Sequence, residues 1–299
     1  FRSEAGKGFD LSLQGASCLM ENVSRKKGPG EWSRVILLAL IMVIILFGSK
    51  CEALEVWVTN PWLSMLTRFI GGVQVTVQPV VTWGEKGEMV KARKIPPTGA
   101  VVITLDPVEG TRLLGKGFEG KFQVFFLFDR MPSVTDVDES FMDPAALPFI
   151  GLRILQILSS CKPGEYDYFQ RRLAEFQARL DSTVIVGRNM IGESAILDLC
   201  WKYGRWLQAA SGRTVRPPSH VKEEWSRSEA MNVLDTALDE ARRQGWIVAV
   251  DPWTPDVVRE RLGENPRYIE LPPPRMEEDF ILFLYDQYLR IWDFLRRNP

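Results

Sequence analysis

The middle of the chain carries one stretch, KPGEYDYFQRRLAEFQARLDS (162–182), in which Tyr166, Phe169, Leu173, Phe176 and Leu180 recur at spacings of three and four. That spacing places them on one stripe of an α-helix and leaves the charges on the other faces. A long, half-exposed helix is therefore expected over about 163–182. Strand-like and helix-like segments alternate before it, and the alternation restarts after it, so the helix separates two α/β regions. The expected fold is α/β: two lobes, each a small parallel sheet flanked by helices, joined by one long rigid helix, with a ligand cleft between the lobes. The expected divisions are an upstream segment (1–53), an N-terminal lobe (54–162), the linking helix (163–182) and a C-terminal lobe (183–299).

In the first lobe LEVWVT (54–59) reads as a strand. Asn60 can cap a following helix, Pro61 can start it, and Trp62, Leu63, Leu66, Phe69 and Ile70 form its apolar stripe before Gly71 and Gly72 end it. VQVTVQPVV (73–81) then completes a βαβ unit. AVVITL (100–105) and KFQVFFLF (121–128) read as buried strands, with a short helix or turn in DPVEGTRLLGKG between them. Residues 83–99 read as a loop. ESFMDP (139–144) precedes a nearly all-apolar helix over 145–159, with Asp143 as N-cap and Pro144 as first helical residue. In the second lobe TVIVG (183–187) reads as a strand, 193–203 as a helix and RTVRPPSH as a polar loop. SRSE (226–229) reads as a capping box opening a helix that ends at Gly245. WIVAVD (246–251) and RYIEL are strands around the short helix of TPDVVRERLG, and an amphipathic helix (277–296) closes the chain.

Open parallel sheets bind ligands beyond the carboxyl ends of their strands. Here those ends carry Thr59–Asn60, Thr82–Trp83, Asp106, Asp129–Arg130, Arg188–Asn189, Asp251 and Glu270. Trp62, Trp83 and Trp253 lie near them, placed either to stack on a ligand or to join the core.

The function classes narrow from what the sequence carries. A formal net charge of -1, with no basic block interleaved with aromatics, gives no sign of a nucleic-acid surface, and no nucleic-acid partner is expected. GKGFEGK lacks the GK[ST] ending and spacing of a P-loop, and IGES is not a nucleophile elbow. The single histidine, His220, supports no Ser–His or Cys–His pair, and no spacing picks out a carboxylate pair for hydrolysis. No catalytic residue is expected. The first methionine is Met20; a basic leader follows it, then thirteen apolar residues, VILLALIMVIILF (35–47), then GSKCEA. This is the pattern of a secretory signal peptide, with cleavage near Ala53 and a mature start at Leu54. Thirteen residues at ~1.5 Å each fall short of a ~30 Å bilayer core. An uncleaved anchor and lipid attachment at Cys51 are the alternatives, and the start codon stays open. The expected location is periplasmic or extracellular. There Cys161 and Cys200 are permitted to bridge, but they are equally readable as two buried thiols.

The chain resembles the solute-binding receptors of zinc- and manganese-type ABC importers, across about 54–296. VTNPWLSMLTRFIGGVQVTV (58–77) is similar to their first strand, helix and IGG turn, and ESFMDPAAL to their HxWLDPxNA. The 162–182 stretch looks like their linking helix, TVIVGRNMIG resembles a strand ending in H-D/N-A-F-G, and WIVAVDPWTPDVVRERL a later strand–helix unit. The resemblance implies an ABC permease and ATPase as partners, a monomeric receptor, and zinc or manganese as possible ligand. The family's metal is held by histidines and carboxylates from both lobes. At the matched positions this sequence offers Glu139 and Arg188. Either Glu88 or Val108 takes the first position, and a residue near Glu270 the fourth. Arginine only donates hydrogen bonds and cannot ligate a metal, and His220 matches no ligand position.

Metal binding is therefore expected to be weak or lost, with no cofactor. Glu139 and Arg188 are expected to form an ion pair in its place. Candidate cleft residues are Glu139, Arg188, Asn189, Asn60, Trp83, Asp251 and Glu270, with Glu139, Glu88 and Glu270 the weak metal candidates. Two further readings stand beside the altered receptor: a receptor for a small anion held by Arg188, and a cell-surface interaction protein that keeps the fold.

Overall fold

The structure, a computed structural model, describes residues 53–129, 137–263, 267–275 and 277–298. The expected signal peptide, including its apolar run 35–47, lies outside the described residues.

The first half opens with β1 (Leu54–Val58), α1 (Pro61–Gly71) and β2 (Val75–Pro79), the expected βαβ unit. Asn60 caps α1 as anticipated, its side-chain oxygen accepting from Trp62 N (2.9 Å) and Leu63 N (3.4 Å). A hairpin follows, β3 (Val81–Trp83) and β4 (Met89–Lys91), with Trp83 opposite Met89. This corrects the expected loop over 83–99: Gly87, at φ +80°, supplies the turn that lets the segment fold back on itself. Next come β5 (Val101–Thr104), α2 (Pro107–Leu114) and β6 (Gln123–Phe126). The four long strands form one all-parallel sheet in the order β2-β1-β5-β6, with Val56 opposite Val77 and Val101. A helical turn (Val137–Ser140) leads to α3 (Leu147–Cys161). Asp143 does not cap α3 as expected; its carboxylate takes Ala145 N (2.9 Å) in the turn before, and Ala146 stands at the N-cap.

The linking helix α4 runs from Tyr166 to Ile191, twenty-six residues. At ~1.5 Å rise that is about 39 Å. It swallows TVIVG, which was expected to be a strand. The physical reason is visible in burial: Phe169, Leu173, Phe176 and Leu180 are followed by buried Thr183, Val184, Gly187 and Ile191, so the helical stripe continues without a break. Tertiary packing of that stripe overrides the β preference of Thr-Val-Ile-Val.

The second half is β7 (Ile196–Asp198), α5 (Gly204–Ala210), β8 (Thr214–Val215), α6 (Ser219–Ser226), α7 (Met231–Gln244), β9 (Ile247–Val250), α8 (Asp256–Leu262), β10 (Tyr268–Glu270) and α9 (Phe280–Arg297). Its sheet is again all parallel, in the order β10-β9-β7-β8. The helix expected over 193–203 is instead β7 and its exit loop. The expected polar loop RTVRPPSH holds β8 and the start of α6. The SRSE box does not start α7: Ser226 ends α6, and α7 begins after Ala230, which sits in the left-handed region at φ 49°. Gly245 does end α7 as expected.

α9 returns across the molecule and packs along α4, capped by Asp279 through Ile281 N (2.9 Å) and Leu282 N (3.0 Å). The main core runs without interruption through both halves, from Val56 and Trp62 to Ile196, Trp206 and Ile291. Among the described residues no helix is long and apolar enough to cross a membrane.

Gly187 on α4 leaves room for Tyr288 on α9. A methyl group there would lie 2.3 Å from Cε2 of Tyr288, a buried ring that stacks on Trp206 at 4.7 Å and donates to the Trp206 carbonyl (2.7 Å). Gly187→Ala is expected to lose about 1–2 kcal/mol: overpacking outweighs the gain in helix propensity. A shift of the urea midpoint measures it, and an unchanged or raised midpoint contradicts this packing argument.

Candidate functional site

The two sheets turn their carboxyl ends toward a common region, and two kinds of contact fill it. The first is aromatic. Trp62, just after β1, is fully buried, with its ring 4.9 Å from Trp83, 6.5 Å from Tyr203, 6.0 Å from Trp253, and 6.3 Å and 5.8 Å from Phe280 and Phe283. Trp83 and Trp253 meet at 5.6 Å, and Tyr203 and Trp253 at 5.3 Å, mostly edge to face. Each such pair adds ~0.5–1.5 kcal/mol beyond its buried area. Trp253 also donates from Nε1 to the Gly87 carbonyl (2.9 Å), which ties the β3–β4 hairpin of the first half to the β9 exit loop of the second. The Lys202 ammonium lies 4.6 Å from the Trp253 ring and 5.9 Å from Trp83. Of the two roles left open for the three tryptophans, they take that of the core. An open groove of about 470 Å³ runs beside them, lined by Trp83, Gly84, Glu85 and Pro272–Arg275.

The second contact is ionic. Glu139 comes from the turn before α3, Asp198 from the end of β7, and Arg216 from the residue after β8. Arg216 Nη2 donates to Glu139 Oε1, and Arg216 Nε stands 3.5 Å from Asp198 Oδ2. One guanidinium thus spans a carboxylate from each half. Arg205 Nε lies 4.0 Å from the other Glu139 oxygen. Asp198 is fully buried; its Oδ1 takes Cys200 N (2.9 Å), and the buried Lys222 ammonium bonds the Cys200 carbonyl alongside. Gly204 makes the arrangement possible, because a methyl group there would lie 2.2 Å from Asp198 Oδ2 and 2.8 Å from the Arg216 guanidinium carbon.

Glu139 is thus where the sequence put it, facing the other half, but its expected partner is not. Arg188 stands in the last turn of α4 and donates to the Ala209 carbonyl (3.0 Å), away from Glu139. Asn189 is exposed beside it. The pairing with Arg188 rested on TVIVG being a strand, and falls with it; Arg216 holds Glu139 instead. Asn60 is a buried helix cap and Trp83 a member of the aromatic cluster. Asp251 organises its own loop: Oδ2 accepts from Lys202 N (2.6 Å) and Tyr203 N (3.3 Å), and Oδ1 from Trp253 N (3.1 Å). Glu270 pairs with Arg259 at 2.5 Å on the exposed side of β10. Glu88 takes Lys86 N (3.0 Å) within the hairpin turn, and Val108 is 77% exposed on α2. His220 is an exposed residue of α6. Sequence reasoning missed Asp198, Arg216 and Lys222. The signal for Asp198 was the apolar run AIL ending in a carboxylate; none marked Arg216. Cys161 and Cys200 are both free thiols.

These residues do not fit a metal ion. Among the described residues no group of three His, Cys, Asp or Glu side chains is placed to hold one. The two facing carboxylates are already engaged by a guanidinium, and the third, Asp251, has both oxygens occupied by backbone N–H groups.

The chain matches no protein-family model and no curated protein sequence. Its fold, however, is that of known solute receptors. A crystal structure of ZnuA superposes with TM-score 0.60 at 13% identity, covering 81% of this chain and 99% of that one. A manganese-bound periplasmic metal-binding protein from Candidatus Liberibacter asiaticus gives 0.57 at 11% identity, covering 82% and 100%. The solute-binding protein FpvC of P. aeruginosa, in complex with Ni2+, gives 0.58 at 11%, covering 83% and 98%. Zinc- and manganese-type receptors were the expected fold relatives.

Burial raises the Asp198 carboxyl above its ordinary range, and the charges of Lys222 and Arg216 only partly offset this. The folded state therefore holds this proton more tightly than the unfolded chain. The resulting stability is full below the ordinary aspartate value, near ~4, and is lost as pH rises through the raised folded value. Asp198→Asn cannot ionise. In urea melts its stability relative to the natural chain is expected to improve as pH rises through that window and then level off. A gap that moves the other way contradicts the assignment.

Proposed function

We propose that this chain is an exported receptor-fold protein of the kind that serves metal importers, in which the metal has been replaced by an internal ion network. It acts by binding and carries no chemistry of its own. The observation that supports the reading best is the single guanidinium of Arg216 held between Glu139 and Asp198, from opposite halves of the molecule. An ABC permease and ATPase are its proposed partners, on the strength of fold likeness and the sequence resemblance together. Export rests on the leader and apolar run upstream of Ala53.

The filled cleft favours a second reading, a cell-surface interaction protein that keeps the fold without a solute. Trp62, Tyr203, Phe280 and Phe283 are buried where a solute would sit between the halves. Genes for a permease and an ATPase beside this one support transport; their absence, with a stable complex on some other surface protein, supports interaction.

Metal loading tests the central claim. Purified protein is expected to carry substoichiometric zinc and manganese by elemental analysis. Its melting temperature is expected to be unmoved by either ion, since a ligand that binds only the folded state must raise it. Stoichiometric zinc that survives dialysis against a mild chelator overturns the proposal.

A further inference from the structure

The groove beside the aromatic cluster has two walls of different origin: Trp83, Gly84 and Glu85 from the β3–β4 hairpin, and Pro272–Arg275 from the connection between β10 and α9. Both walls are held in place by the fold. Trp253 donates to the Gly87 carbonyl (2.9 Å) behind the first, and the Tyr203 hydroxyl donates to the Pro272 carbonyl (2.9 Å) behind the second. Three consecutive prolines, Pro272–Pro274, fix their own φ angles and carry no N–H, and the Gly84 N–H is spent on the Glu88 carbonyl (2.8 Å). Trp83 and the prolines therefore make an apolar lining, and one charge stands on each wall, Glu85 and Arg275. Both side chains are exposed, and among the described residues neither has an ion-pair partner, the other included. Arg275 also borders a smaller hollow of about 340 Å³, where Glu278 accepts its backbone N–H (3.1 Å).

We propose that this groove binds a small apolar zwitterion, a free amino acid or a dipeptide, with its ammonium against Glu85, its carboxylate against Arg275 and its side chain along the prolines and Trp83. The inference rests on the receptor reading above and gives it a solute class. A ligand of one sign is repelled by one of the two walls, whereas a ligand that carries both signs is attracted by both. The guanidinium of Arg275 matches the planar fork of a carboxylate. A volume of about 470 Å³ falls within the ~300–1,000 Å³ of small-molecule sites. Walls already fixed by prolines and by the Trp253 and Tyr203 hydrogen bonds lose little freedom when a ligand arrives.

The test melts the full chain over rising concentrations of L-leucine, of leucyl-leucine and of N-acetyl-leucinamide, which keeps the apolar side chain and carries neither charge. The expected result is a melting temperature that climbs with leucine or with leucyl-leucine, the better of the two identifying the source, and stays flat with the uncharged amide. Glu85→Gln and Arg275→Gln change exposed side chains, so both variants are expected to melt with the natural chain in plain buffer and to bind the zwitterion about fivefold more weakly, the upper end for an exposed pair. Three results overturn the site: indifference of the natural chain to both zwitterions at millimolar concentration, an equal response to the uncharged amide, or a response that survives both substitutions. Each of them leaves the metal-free receptor reading intact. Stoichiometric zinc on the purified chain is a different failure, and sinks that reading whatever leucine does.

Discussion

Burial of Trp62 is the constraint around which the two halves are organised. It leaves β1 at the carboxyl edge of the first sheet and meets rings supplied by the β3 hairpin, the β7 and β9 exit loops and α9. Burying an indole of this size ranks among the larger single apolar contributions available to a fold. Its position is fixed by a short local device: Asn60 caps α1 and Pro61 presets the first turn, so the ring is aimed before any tertiary contact forms. A ligand cleft of this architecture needs space at the carboxyl ends of its sheets. Here the rings around Trp62 occupy the region between the strand ends, and an open groove of about 470 Å³ runs beside them.

The ionic contacts do a different job from the aromatic ones. The rings contribute mainly buried area, with an edge-to-face preference, whereas one guanidinium between two carboxylates fixes how the halves face each other. Buried ion pairs contribute little net stability, because desolvation cancels most of the attraction, yet stranding one member is costly. The raised Asp198 carboxyl is the trace of that balance. So the network specifies an orientation more than it stabilises the molecule, and the aromatic cluster supplies the energy that makes the arrangement persist.

Most of the fold was legible in the sequence, because alternation, the Asn60 cap of α1 and the helical stripe of 162–182 all pointed one way. The failures cluster where two local signals compete. Thr183-Val-Ile-Val reads as a strand by composition but as a helix by spacing, and spacing won because Leu180, Val184, Gly187 and Ile191 keep the stripe against α9. That one slip moved the second half's first strand by about ten residues, so Arg188 was set at the cleft in place of Asp198. Glu139 was found because ESFMDPAAL resembles the HxWLDPxNA stretch of the metal-importer receptors, which sets it at the cleft. Arg216 was not, because its position beside Asp198 depends on β8, a two-residue strand that no local pattern reveals. Pairing across a sheet of short strands is a long-range fact, and a single sequence does not carry it.

Among the described residues, the two unpaired cysteines, Cys161 and Cys200, give the folded molecule a particular kind of durability. Burial raises the Cys161 thiol, a neighbouring hydroxyl on Ser160 only partly countering it, and raises the fully buried Cys200 thiol well above its usual range. Thiolates do the attacking in disulfide exchange, so both groups are poor nucleophiles while the core is intact. Unfolding returns them to ordinary reactivity at once, on a chain long enough to close on itself. In an oxidising medium the route back then competes with a covalent trap. How long such a protein lasts is set there by how rarely it opens, and the free-energy difference between its two end states stops being the governing quantity.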